Sequence, residues 1–118
     1  MMRPDADVAV YVCVTPVDMR KQANTLALIV EQGLKRNIFE PALYAFTNYR
    51  RDRIKIVYWH RNGLCLWGKR LEGRDRFLFP REVSGETVCI SGAKLEELLA
   101  GFDVWRYGHR ELLIRRVG

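Results

Sequence analysis

Apolar, largely β-branched residues run without a break from Val8 to Val14. The run is too short for a buried helix and suits a strand covered on both faces, which places it centrally in a sheet. The pattern changes at Thr15-Pro16-Val17-Asp18, which matches a helix start. Thr15 is a hydroxyl cap, Pro16 stands at a first helical position where no N–H is needed, and Asp18 meets the positive helix end. Ala23, Leu26, Ala27, Val30 and Leu34 then recur at spacings of three and four, with Ile29 widening the stripe and Gly33 or Asn37 available to stop it. This predicts a long helix over about 16–35.

Strand-like runs follow at Ala42 to Thr47, Arg53 to Trp59 and Leu64 to about Leu71. The first two are joined by the polar turn Asn48-Tyr49-Arg50-Arg51-Asp52. Between the second and third, Asn62-Gly63 is a strong hairpin signal, because both residues tolerate positive φ. With those two residues as the loop, one face of the hairpin collects Ile54, Ile56, Tyr58, Cys65, Trp67, Lys69 and Leu71. The other collects Arg53, Lys55, Val57, Trp59, Leu66, Gly68 and Arg70. The first is expected to face the core and the second to be exposed. Arg76 to Phe79 and Thr87 to Ile90 are further short strand candidates. A shorter C-terminal helix starts from a Ser91 cap, carries Leu95, Leu98, Leu99 and Phe102 as its stripe and ends at Gly101. The sum is an α+β fold, a mostly antiparallel sheet with one long helix in the N-terminal half and a shorter one near the C-terminus.

The 118 residues bound this to a single domain over 1–118, and residues 104–118 form a basic tail whose order the sequence leaves open. No apolar stretch approaches the length of a membrane span. The start from Met1 to Asp7 carries acids where a signal peptide needs a basic and then a hydrophobic segment. The three cysteines, Cys13, Cys65 and Cys89, are widely spaced among apolar neighbours and read as reduced core thiols. A cytoplasmic protein is expected.

Charge changes the picture more. The net charge is +6, yet residues 47–81 alone hold ten basic and three acidic side chains, so the whole excess lies in one segment rich in arginine. A localised field of this kind attracts polyanions. Arg50, Arg51, Arg53, Lys55 and Arg70 are the candidate nucleic-acid contacts, with Tyr49 or Trp59 offering flat faces for a base. No recognition helix arrays side chains toward base edges, so weak, sequence-nonspecific binding through phosphates is expected.

Catalysis is not expected. A two-metal nuclease needs convergent carboxylates, and the basic segment offers only Asp52, Glu72 and Asp75, each within two residues of an arginine. His60 has no second ligand at metal spacing. Cys65 falls on the core face, where a thiol is inert. The glycines of the segment lie within or between strands, not before a helix where phosphates are cradled. Neither metal nor cofactor is expected.

The ordered series Val17-Asp18-Met19-Arg20-Lys21, then Phe46 to Trp59, Asn62-Gly63-Leu64-Cys65-Leu66-Trp67, Lys69-Arg70-Leu71-Glu72, Phe77 with Pro80, and finally Leu95, Leu98, Leu99 and Gly101-Phe102-Asp103 resembles one family. It is the small TnpB-type accessory protein from the second open reading frame of IS66-group insertion sequences. The resemblance runs from about residue 8 to Asp103. It implies a non-catalytic helper of transposition, working beside a separate transposase by binding DNA, transposase or both, and it carries over no catalytic residue. Arg20, Lys21 and Trp59 become candidates for partner contact. The chain departs from the pattern at Gln22, where glycine is usual, and at His60, where aspartate is usual. A purely protein-binding adaptor and a small metal-dependent nuclease are the alternatives, and the oligomeric state is left open.

Overall fold

The computed structural model describes residues 5–79 and 87–105. Within them the chain forms β1 (Ala9–Cys13), α1 (Ala23–Leu28, continued by a π-helical turn over Ile29–Gly33), β2 (Ala42–Thr47), β3 (Arg53–His60), β4 (Gly63–Arg70), β5 (Thr87–Ser91) and α2 (Gly92–Leu99). The strands make one sheet in the order β4-β3-β2-β1-β5. β1 and β2 run parallel, with Ala9 opposite Ala42 and Cys13 opposite Phe46, and the other neighbours are antiparallel. Parallel neighbours require a crossover, and α1 lies on that crossover.

The fold is therefore a five-stranded mixed sheet with two short helices, which corrects the expected fold class: the helix expected to be long is short, and one parallel pairing stands beside three antiparallel ones. The helix expected from Pro16 begins only at Ala23. Residues 14–22 instead cross the end of the sheet as a loop whose backbone groups find partners in strands. Val17 N–H donates to the Thr47 carbonyl at 2.9 Å, and the Lys55 ammonium donates to the carbonyls of Met19 and Lys21. Tertiary hydrogen bonds thus replace the helical ladder that the cap pattern advertises. Asp18 accordingly sits in a loop and not at a helix N-terminus.

Each face of the sheet buries one apolar layer. Leu26 and Val30 of α1 pack with Tyr44, Phe46 and Val57, as the helical stripe implies. On the opposite face Leu95 and Leu98 of α2 pack with Val10, Val12, Ile54 and Ile56, joined by Phe77 and Trp105. β1 is paired on both sides and contributes to both layers, which accounts for its unbroken apolar run. Ser91 caps α2 through its hydroxyl, which accepts from Lys94 N–H at 3.2 Å. Gly101, at φ +97°, ends it, and its N–H donates to the Leu98 carbonyl at 3.0 Å.

The hairpin differs from expectation at its tip. His60 pairs with Gly63, so the loop is Arg61-Asn62, with Arg61 at φ +58°, and Asn62-Gly63 is displaced by one residue. Each partner moves two positions along the opposite strand, so the two face sets survive intact. Ile54 and Ile56 are buried, while Tyr58 and Trp67 are half-buried against the same layer. The face expected to be exposed is instead partly roofed by α1, with Val57 buried and Arg53 and Lys55 half-buried. Arg76 to Phe79 is not a strand, although Phe77 is buried and its N–H donates to the Arg51 carbonyl at 2.7 Å. Phe102 lies past the end of α2 and is exposed. The 80–85 loop and most of the 104–118 tail lie outside the described residues.

Candidate nucleic-acid interface

The turn between β2 and β3 is organised by Asn48. Its side-chain oxygen accepts the N–H groups of Asp52 and Arg53, each at 3.1 Å, and its amide donates to Asp52 Oδ1 at 2.6 Å. An asparagine imitating a backbone turn in this way fixes the chain around it. The Thr47 hydroxyl adds a bond to the Arg53 carbonyl at 3.1 Å, and Arg51 N–H donates to the Asn48 carbonyl, also at 3.1 Å. The two residues at the tip, Tyr49 and Arg50, are thereby held outward, with Tyr49 86% exposed.

Beside the turn, Arg53 of β3 is the direct partner of Arg70 of β4. Like charges placed opposite each other on one face are destabilising. Arg70 has only an exposed contact with Glu72 at 3.5 Å, of a kind that contributes little. Among the described residues no acid is paired with Arg50 or Arg53. These three arginines, with Tyr49, Asn48 and Asp52, line an open cleft of about 440 Å³, completed by Val17, Asp18 and Met19 of the 14–22 loop.

Both acids of the cleft are occupied locally. Asp18 accepts from Arg20 Nη2 at 2.7 Å, from Arg20 Nε at 3.0 Å and from the Arg20 backbone N–H at 2.9 Å. The Arg20 side chain, and then its backbone N–H, hold the Asp18 carboxyl down at about 2. The Asn48 amide is the main cause keeping Asp52 below its ordinary range. With these carboxylates satisfied by neighbours, the cationic donors of the cleft are the guanidinium groups of Arg50, Arg53 and Arg70, the last with its weak contact to Glu72, and such groups suit phosphate oxygens. No group of three or more His, Cys, Asp or Glu that could hold a metal occurs among the described residues, nor is any described helix long and apolar enough to cross a membrane.

The expected set of five cations is thus divided. Arg50, Arg53 and Arg70 share the cleft. Arg51, at φ +61°, sends its guanidinium toward the interior, where it donates to the Val14 carbonyl at 3.0 Å and lies 4.5 Å from the centre of the Phe79 ring. Burial lowers its pKa. Lys55 clamps the 14–22 loop. Of the partner candidates, Arg20 projects into solvent from its pair with Asp18, and the Lys21 carbonyl is held by Lys55. Trp59 packs edge-on against Phe39 at 4.7 Å, with its indole N–H on the Arg61 carbonyl at 2.9 Å. Asn48, Val17 and Met19 were not among the expected site residues. The asparagine that opens a polar turn is the one legible signal among them.

The family described as IS66 Orf2 like protein matches residues 8–109. The protein y4hO of Sinorhizobium fredii, described as uncharacterized, is 33% identical over 118 residues, covering all of both chains. A second protein of that organism, y4jC, described likewise, is 30% identical over 103 residues, 87% of this chain and 86% of its own. No solved structure matches.

Proposed function

Since the chain belongs to the IS66 Orf2-like family and is by that membership an accessory protein of an insertion sequence, we propose that it serves transposition by holding DNA through its phosphates, without catalysis of its own, in the cytoplasm. The observation that carries this reading is the face-to-face placement of Arg53 and Arg70 beside Arg50 in one open cleft. An anion between like charges relieves their repulsion, and three guanidinium groups suit a run of phosphates better than a single small anion.

Titration of a labelled duplex across salt tests it. Three contacts predict a logarithmic slope of about −2 to −3, with each of Arg50→Ala, Arg53→Ala and Arg70→Ala reducing its magnitude by roughly one. Unrelated duplex sequences should bind equally. Absence of binding at low salt, together with salt-sensitive capture of the element's transposase by the same arginines, overturns the DNA reading and makes the cleft a protein-docking surface. Asp18 and Arg20, exposed at its margin as a two-pronged ion pair, are the groups such a protein contact would use first.

A further inference from the structure

Phosphate contact leaves Tyr49 without a role. Its ring is 86% exposed, and among the described residues it has no aromatic neighbour or hydrogen-bond partner. Exposure of a single aromatic residue is ordinary. What distinguishes Tyr49 is its support: the turn beneath it is fixed by the three bonds of the Asn48 side chain and the bond from Thr47. A ring on so fixed a turn needs little further ordering when something binds to it.

The other lining of the cleft decides what that ligand is. Arg50, Arg53 and Arg70 supply cationic donors, while Val17 and Met19 add apolar surface beside Tyr49. A phosphate alone has no use for an aromatic face and apolar walls. A nucleotide unit uses both, placing its charged linkage on guanidinium groups and its flat base on the ring. In a duplex the faces of internal bases are already covered by their stacked neighbours, so Tyr49 can receive a base only from an unpaired strand. The concave space of about 440 Å³ is in the range of small-ligand sites and suits one such unit better than the convex surface of a double helix.

We propose that the cleft takes unpaired DNA, with a phosphate between Arg53 and Arg70 and an adjacent base stacked on Tyr49. The proposal rests on the phosphate-binding reading above and adds the form of the strand and the residue that selects it.

The test uses the full chain and three labelled probes of equal length at one salt concentration: an oligothymidine strand, the same backbone with abasic sites, and a duplex. The oligothymidine should bind at least about fivefold more tightly than the other two. Tyr49→Ala should weaken oligothymidine binding about 5- to 150-fold, with the duplex and abasic strand unaffected. Tyr49→Phe, which keeps the face, should retain binding. Because neither variant changes charge, the salt slope should stay the same. Quenching of a 2-aminopurine base in the strand should be seen with the natural chain and vanish with Tyr49→Ala, and an unchanged circular dichroism spectrum excludes unfolding as the cause of that loss. Equal binding of all three probes, insensitive to Tyr49→Ala but lost in the arginine variants, overturns this proposal and leaves the phosphate reading standing. No binding of any probe by the folded natural chain overturns both.

Discussion

Arg50 and Arg51 are adjacent and chemically identical, yet they serve opposite ends. Arg50 stands in an open cleft with no paired acid among the described residues, whereas Arg51 turns through a left-handed backbone conformation to a carbonyl and an aromatic ring in the interior. The same division separates Arg53 from Lys55, two residues along the same strand, where one faces Arg70 and the other clamps the 14–22 loop. A basic segment is therefore two populations, one whose charge is spent on the fold and one whose charge is available to a ligand. Only the second should contribute to the salt dependence of binding.

Removing a cation of the first population should break the protein before it alters binding. Lys55→Met keeps the apolar stem and deletes two charged hydrogen bonds, so urea unfolding should show a loss of about 2–3 kcal/mol. Arg51→Ala removes one carbonyl bond and a ring contact and should cost about 1–2 kcal/mol. Arg51→Gly should recover part of that loss, because glycine accepts the positive φ freely. In both cases the salt slope of DNA binding, measured on folded protein, should not move; a drop of one unit would place these two cations among the phosphate contacts.

Changing the second population should do the reverse. Arg53→Ala should leave stability within about 0.5 kcal/mol of the parent or raise it slightly by relieving repulsion with Arg70, while weakening DNA binding. Asp18 supplies the finest test. Its carboxyl is held at about 2, mainly by the Arg20 side chain. The stabilisation from that pair is thus fully present above the ordinary value of 3.8 and is lost as pH falls through the folded-state value. Carboxyl resonances followed by NMR should give a midpoint near 2, moving back toward the ordinary range in Arg20→Ala.

What was legible in the sequence was local and periodic. The stripe of Leu26 and Val30 faces the sheet, and the division of hairpin residues into two faces survives even though the loop falls one residue early, because strict alternation depends only on parity. What escaped was non-local. Thr15-Pro16-Val17-Asp18 carries every local mark of a helix start, but strand residues 47 and 55 supply the partners that hold it as a loop. The parallel pairing of β1 with β2 is likewise a choice made across the crossover and not within either strand. The divergence of Arg50 and Arg51 hangs on one backbone dihedral that arginine does not advertise. Three of the five expected contact residues share the cleft for a simpler reason: a turn and a hairpin bring them to the same end of the sheet.

The two apolar layers also differ in when they can be completed as the chain leaves the ribosome. Every residue lining the cleft, and the α1 layer behind it, lies between positions 9 and 70. The opposite layer waits for Phe77, Val88, Ile90, Leu95, Leu98 and Trp105, and until they arrive Val10, Val12, Ile54 and Ile56 have no cover. The nascent protein thus has the means to assemble its arginine cleft while one side of its sheet is still bare and β1 still lacks its β5 neighbour. Premature termination near Arg70 would release a fragment bearing the cleft on a sticky apolar face. The last third of the described chain is what closes the second apolar layer over that half-built sheet.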